Sequence, residues 1–175
     1  INNKKLDLAI LQETHSEHYL ENKWQSEWDG LSFWNSGPQK RSSGVAILLR
    51  KNLDLKIDFI EKDTEGKILN ICFAYNKTKI QVINLYTPNT PGIRGIFFKS
   101  LEKFIRPEYY LALGGDFNMV EDIHLDRNGG TPCNTHTAGI EELQSLKHKI
   151  NLHDAWRKLN PKTLEYTYYN KGYKL

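Results

Sequence analysis

Tyr109-Tyr110-Leu111-Ala112-Leu113-Gly114-Gly115-Asp116-Phe117-Asn118 is the stretch that decides how this chain is read. A run with strand propensity gives way to two glycines, and a carboxylate and a carboxamide follow at once. Residues 109–113 predict a short buried strand, and Gly114-Gly115 lets the backbone bend or admit a ligand closely. Asp116 and Asn118 lie two apart, so on an extended backbone they share one side. They offer a proton acceptor or metal ligand beside a group that both donates and accepts hydrogen bonds. Asp, Asn and Gly also end strands for ordinary turn reasons, so the other strand ends must decide between the two readings.

Working outward, residues 6–11 alternate well enough to predict a strand that delivers Gln12-Glu13-Thr14-His15 to its C-terminal end. Further strands are expected over 44–49, 55–60, 68–75 and 80–86, separated by Lys, Asp, Glu, Gly and Asn turn material. Short consecutive strands with tight turns predict antiparallel hairpins, most clearly at Asn76-Lys77-Thr78-Lys79. Helical spacing runs through Phe97, Leu101 and Phe104 over 93–105, and through Ile140, Leu143, Leu146 and Ile150 over 138–150. Pro107 should end the first helix and Thr137 cap the second. A last aromatic segment, 164–169, has strand propensity. The pattern implies one α/β domain over residues 1–175, with sheets faced by helices.

Composition sets bounds on function. A chain of 175 residues with 39% hydrophobic and 26% charged side chains can bury one sizeable core. The longest aliphatic run, 45–49, is far too short to span a bilayer, and no secretory signal is recognisable, so an intracellular protein is expected. Cys72 and Cys133 lie far apart, which indicates neither a disulfide scaffold nor a zinc cluster; Cys72 reads as a core residue. A net charge of +3 permits nucleic acid as a partner without demanding it. Lys40-Arg41, Arg50-Lys51, Lys171 and Lys174 read as solvated surface unless they flank a site.

Four strand ends present polar groups just past apolar runs: Glu13, Tyr86 with Asn89, Asp116 with Asn118, and Thr167. Glu13 and Asp116 are hard oxygen donors suited to Mg²⁺, which takes one or two protein carboxylates beside waters and a substrate phosphate. Asp116 could activate or orient a water, Asn118 hold the phosphate or that base, and Tyr86 donate to charge developing in the transition state. His15 and His18 lack the further ligands that zinc needs, His124 reads as loop surface, and Gly129-Gly130 lacks the context of a phosphate-binding loop.

Each of these groups has a plain structural reading by itself, but their order is far more specific. Gln12-Glu13-Thr14, then Asn84-Leu85-Tyr86-Thr87-Pro88-Asn89, then Gly115-Asp116-Phe117-Asn118, then Tyr166-Thr167 resembles the exonuclease-endonuclease-phosphatase superfamily. That superfamily includes DNase I, the abasic-site repair endonucleases and the endonuclease domains of LINE-type retrotransposons. Gly44-Val45-Ala46-Ile47-Leu48, Leu125-Asp126-Arg127 and Asp154-Ala155-Trp156-Arg157 with Asn160-Pro161 make the chain most similar to the LINE-type domains.

The resemblance implies a four-layered α/β/β/α sandwich of two packed mixed sheets flanked by helices. It implies Mg²⁺-dependent nicking of double-stranded DNA, with Mn²⁺ as an alternative ion. The product is a 3′-hydroxyl that primes a reverse transcriptase domain of the same polyprotein. Glu13 is then the metal residue, Asp116, Asn118 and Tyr86 are catalytic, and Asn89, Arg127 and Thr167 face the DNA. A monomer without membrane attachment, nuclear and cytoplasmic, is the matching expectation.

Two departures accompany the likeness. The family's first strand ends in an asparagine, whereas Asn2 and Asn3 precede the first strand here. Its late Asp-bearing strand and Ser-Asp-His segment have no counterpart before Leu175, so none of the six histidines receives a catalytic role. The domain is thus expected to be truncated at both ends. The alternatives are an abasic-site endonuclease or other phosphodiesterase of the same superfamily, and a catalytically incomplete DNA-binding fragment.

Overall fold

The computed structural model describes residues 6–129 and 133–167. They fall into two compact units, one built on residues up to 87 with 103–117, the other on 88–102 with 118 onward.

The first unit is a sandwich of two sheets. Strands β1 (Leu8–Gln12), β2 (Gly30–Asn35) and β3 (Val45–Arg50) form an antiparallel sheet in the order β1-β3-β2. Strands β4 (Leu55–Lys62), β5 (Ile68–Tyr75), β6 (Thr78–Tyr86) and β7 (Tyr110–Asp116) form the second in sequence order. Its first three strands are antiparallel, while β6 and β7 run parallel, with Tyr86 opposite Asp116. Antiparallel neighbours need only a tight turn, and β5 reverses into β6 through Asn76 and Lys77, both at positive φ (47° and 67°). That pair of left-handed residues matches the twist of a two-residue hairpin.

Alternation explains the core. Val45, Ile47 and Leu49 of β3 meet Leu69, Ile71 and Phe73 of β5 and Val82 of β6 between the sheets. The intervening Ala46, Leu48, Ile68, Cys72, Ile83 and Leu85 are buried as well, which is why these strands read as largely apolar on both faces. Each buried aliphatic side chain contributes roughly 1.5–3 kcal/mol. Helical segments cover both sheets. Helix α1 (Glu21–Glu27) lies along β2, with Trp24 and Trp34 rings 5.1 Å apart. On the other sheet, Asn70 and Gln81 donate to the Phe104 carbonyl, at 3.3 and 2.6 Å, at the end of a 3-10 turn.

In the second unit, α2 (Pro91–Ser100) packs on α3 (Ile140–Lys149), and α4 (Ala155–Leu159) is capped by the Asp154 carboxylate, which accepts from Arg157 N at 2.8 Å. Phe98, Leu143 and Leu146 are buried. No helix among the described residues is long and apolar enough to cross a membrane.

The expected α/β class, with two packed sheets and helical cover, is borne out, and several details are corrected. Among the described residues the three-stranded sheet is antiparallel and the four-stranded one mixed. Strand β7 stops at Asp116, and Asn118 is left-handed (φ 50°), so the extended alternation that would put Asp116 and Asn118 on one side is broken. Thr137 does not cap α3. The chain enters that helix through Gly139 at φ 91°, two residues later, and the Thr137 hydroxyl turns to the Asn134 carbonyl instead. Residues 164–167 form no strand, and 168–169 lie outside the described residues. The helix expected over 93–105 is α-helical only to Ser100 and then tightens into the 3-10 turn.

Gly115 is the tightest point of the second sheet. Its φ is 137°, and a Cβ there would sit 2.0 Å from the Leu85 carbonyl oxygen on β6, a backbone atom that cannot yield. Gly115→Ala is therefore expected to lower unfolding stability by roughly 3 kcal/mol or more in urea titration, and a loss below about 1 kcal/mol would contradict this packing.

Candidate active site

Asn84 sits two residues before the end of β6 and is completely buried. A buried amide must find partners or cost several kcal/mol, on the order of 2–7. It finds them on the opposite sheet. Its Nδ2 donates to the carbonyls of Leu11 (2.8 Å) and Ala46 (2.9 Å), which are register partners on β1 and β3. Its Oδ1 accepts from Gln12 Nε2 at 2.6 Å. The ends of β1 and β6 are thereby tied together across the sandwich.

Just past that tie, Tyr86 Oη donates to Glu13 Oε1 at 2.6 Å. Tyr86 stands opposite Asp116 in the parallel β6–β7 pair, and Thr87 N donates to the Asp116 carbonyl at 2.8 Å. The first unit therefore gathers Glu13, Tyr86 and Asp116 at neighbouring strand ends. Gly114 makes room for this. A Cβ at that position would meet Ile10 Cδ1 of β1 at 2.7 Å, so β1 lies close over β7.

The turn carrying Glu13 is held on its far side too. Thr14 N and His15 N donate to the carbonyls of Gly44 (3.1 Å) and Ser43 (2.9 Å), and Glu13 itself is left-handed (φ 49°). A glutamate held there is strained by about 1 kcal/mol or more, and such strain persists only where the surroundings impose it. Gly44 is obligatory in this arrangement, because at φ 93° its Cβ would lie 2.4 Å from Thr14 Oγ1.

Behind the turn runs a chain of hydroxyls. Thr14 Oγ1 donates to the buried Ser16 (2.9 Å), Ser16 lies 2.9 Å from the buried Ser36, and Ser36 Oγ donates to Glu21 Oε1 at 2.6 Å. Lys62 Nζ reaches the other Glu21 oxygen at 3.3 Å. Burial pushes the Glu21 carboxyl up, but the Ser36 hydroxyl, the Lys62 ammonium and the Ser36 N–H together hold it below its ordinary value.

The histidines of this region are engaged locally: His15 Nδ1 lies 2.8 Å from the Arg41 carbonyl, and His18 Nδ1 3.3 Å from Glu21. Cys72 is buried as expected, and that burial, reinforced by the Glu61 charge, pushes its thiol up to about 12. Among the described residues no group of three or more His, Cys, Asp or Glu side chains is gathered as a metal cluster. A cation at these strand ends would have to rely on one or two carboxylates with water and substrate oxygens. Glu13 and Asp116 are hard oxygen donors of the type that arrangement needs, so the residues fit a hard divalent cation.

Asn89, Asn118, Arg127 and Thr167 belong to the second unit. There the buried Arg94 of α2 donates to the carbonyls of Pro88 (3.1 Å), Asn89 (2.9 Å) and Thr135 (2.7 Å), fixing the segment that bears Asn89. Asp126 is engaged by Arg157. Thr167 is exposed and stands on no strand end. Three residues escaped a role in the sequence reading: Gln12, Asn84 and Arg94. The available signal was polarity out of place, since Asn84 interrupts an apolar strand.

The chain belongs to the endonuclease/exonuclease/phosphatase family, whose model matches residues 1–170. It is 31% identical over 164 residues to the transposon TX1 uncharacterized 149 kDa protein of Xenopus laevis, a match covering 92% of this chain and 12% of that protein. In fold it is similar to the AP endonuclease LMAP from Leishmania major (TM-score 0.69, 18% identity, 92% of this chain and 62% of that one). It is likewise similar to the 3′-5′ exonuclease NExo from Neisseria meningitidis (TM-score 0.67, 21% identity, 97% of this chain and 71% of that one). The family resemblance read from the sequence is borne out.

Glu21 makes the site's support pH-dependent. A carboxyl held below its unfolded value stabilises the fold above that value, and the contribution is lost as pH falls through the folded one. Glu21→Gln should cost about 1 kcal/mol at neutral pH, and the gap to the parent should close as acid protonates the parent carboxylate. Thermal melts across the acid range test this, and a gap that stays constant with pH would contradict it.

Proposed function

We propose that this chain is the endonuclease part of a LINE-type transposon protein, nicking double-stranded DNA to leave a 3′-hydroxyl that primes reverse transcription by another domain of the same polyprotein. The observation that carries the reading is the gathering of Glu13, Tyr86 and Asp116 at adjoining strand ends, supported by the family and by the transposon relative.

In this scheme Asp116 accepts a proton from the attacking water, and Asn118 orients that base or the phosphate. The water oxygen bonds to phosphorus, the P–O3′ bond breaks, and the departing oxygen takes a proton to become the 3′-hydroxyl, leaving a 5′-phosphate. The Tyr86 hydroxyl donates to charge developing on the phosphate. Glu13 would hold Mg²⁺, which polarises the scissile phosphate when bound. Asn89, Arg127 and Thr167 contact the DNA backbone, so target choice rests on groove shape and ease of bending more than on base contacts.

Supercoiled plasmid in Mg²⁺ tests this reading. The parent should convert it to a nicked circle whose 3′ ends a polymerase extends directly, faster than it cuts a duplex bearing one abasic site. Asp116→Ala should lower the nicking rate by about 10²–10⁴-fold, the range a general base supplies. Parent-level nicking by Asp116→Ala, or a parent that cuts only the abasic duplex, would contradict the proposal.

A further inference from the structure

We infer that Gln12 and Asn84 act as a positioning pair that sets the Glu13 carboxylate for the cation, an inference that rests on reading Glu13 as the metal-holding residue. Neither side chain contacts the reacting atoms in this scheme. They act through the main chain on either side of Glu13 and through the strand that carries Tyr86.

The orientation of the two amides is forced. Both Asn84 N–H groups are committed to the carbonyls of Leu11 and Ala46, so only its Oδ1 remains to face Gln12. Gln12 must then present its NH₂ group, and it does so at 2.6 Å. An amide whose atoms are fixed by geometry in this way holds one rotamer, because turning either group over would set donor against donor and acceptor against acceptor. The bond is at least partly shielded from water, where an unmade hydrogen bond is costly.

The consequence falls on Glu13. It is exposed, follows the last residue of β1, and has three side-chain torsions to order. On one side of it the Leu11 carbonyl and the Gln12 side chain are both fastened to Asn84. On the other, Thr14 and His15 are fastened to the 43–44 turn. The Glu13 carboxylate meets Tyr86, which shares a face of β6 with Asn84 two residues earlier. One strand therefore locates both the glutamate's main chain and its carboxylate. Loss of the Gln12–Asn84 bond removes one of the ties on the turn without removing either carboxylate. Groups that orient metal ligands in this way typically alter affinity or activity by about 10–100-fold when removed.

The test is a titration of the whole 175-residue chain with Mn²⁺ alone, reading bound ion by electron paramagnetic resonance, without DNA or turnover. Gln12→Met keeps the bulk and removes the donor, and Gln12→Asn keeps the amide but shortens its reach. Both should raise the Mn²⁺ dissociation constant by about 10-fold or more. Both should also shift half-saturating metal for nicking upward while metal-free DNA affinity stays at the parent value. Glu13→Gln serves as the reference. If Glu13→Gln loses the ion but both Gln12 variants bind it as tightly as the parent, the positioning role is overturned and the metal reading stands. If Glu13→Gln binds as tightly as the parent, the metal reading fails and the inference fails with it.

Discussion

The buried amide of Asn84 is the constraint on which the rest of the candidate site depends. Hydrophobic burial between the sheets is strong but non-directional, and it would tolerate small slides of one sheet over the other. Three hydrogen bonds from one residue do not tolerate such slides. They tie β6 to β1 and β3 where β1 ends, so that Glu13 and Tyr86 emerge within hydrogen-bonding distance. Asn35 makes a comparable tie elsewhere in the sandwich, from β2 to the Ile68 carbonyl and the Asp63 turn. Apolar contacts hold the two sheets together, and two asparagines fix how they align.

This division of labour suits phosphoryl chemistry, where the protein does little covalent work and much positioning. Both Glu13 and Asn118 sit in the left-handed region, an arrangement that costs stability locally and is imposed by the surrounding turns. The hydroxyl chain from Thr14 to Glu21 supports the same turn from behind, with a charged group at its end. Hydrogen bonds thus hold the strand end on both sides, and such preorganisation lowers the ordering cost of binding and catalysis.

Much of this was legible in the amino-acid order, and the rest had physical reasons not to be. Strand β5 reads directly because both its faces are buried, which writes a mostly apolar run, interrupted only at Asn70, into the sequence. Strand β2 hides because Gly30-Leu31-Ser32-Phe33-Trp34-Asn35 mixes small, polar and aromatic residues with no aliphatic run. Helix α1 buries no residue fully and so leaves no stripe. Glu13, Tyr86 and Asp116 could be named from motif order. The pairing of Gln12 with Asn84 joins side chains 72 residues apart in sequence, which local pattern does not encode, and the left-handed turn at Asn118 breaks the extended alternation that a strand reading assumes.

The central claim is that these strand ends form a cation-assisted phosphodiester-cleaving centre. Anomalous diffraction from crystals of the chain soaked in Mn²⁺ tests it most directly. The account predicts a manganese peak at oxygen-ligand distance, about 2.0–2.6 Å, from a Glu13 carboxylate oxygen. A peak bound elsewhere, with Glu13 still paired only to Tyr86, would contradict it.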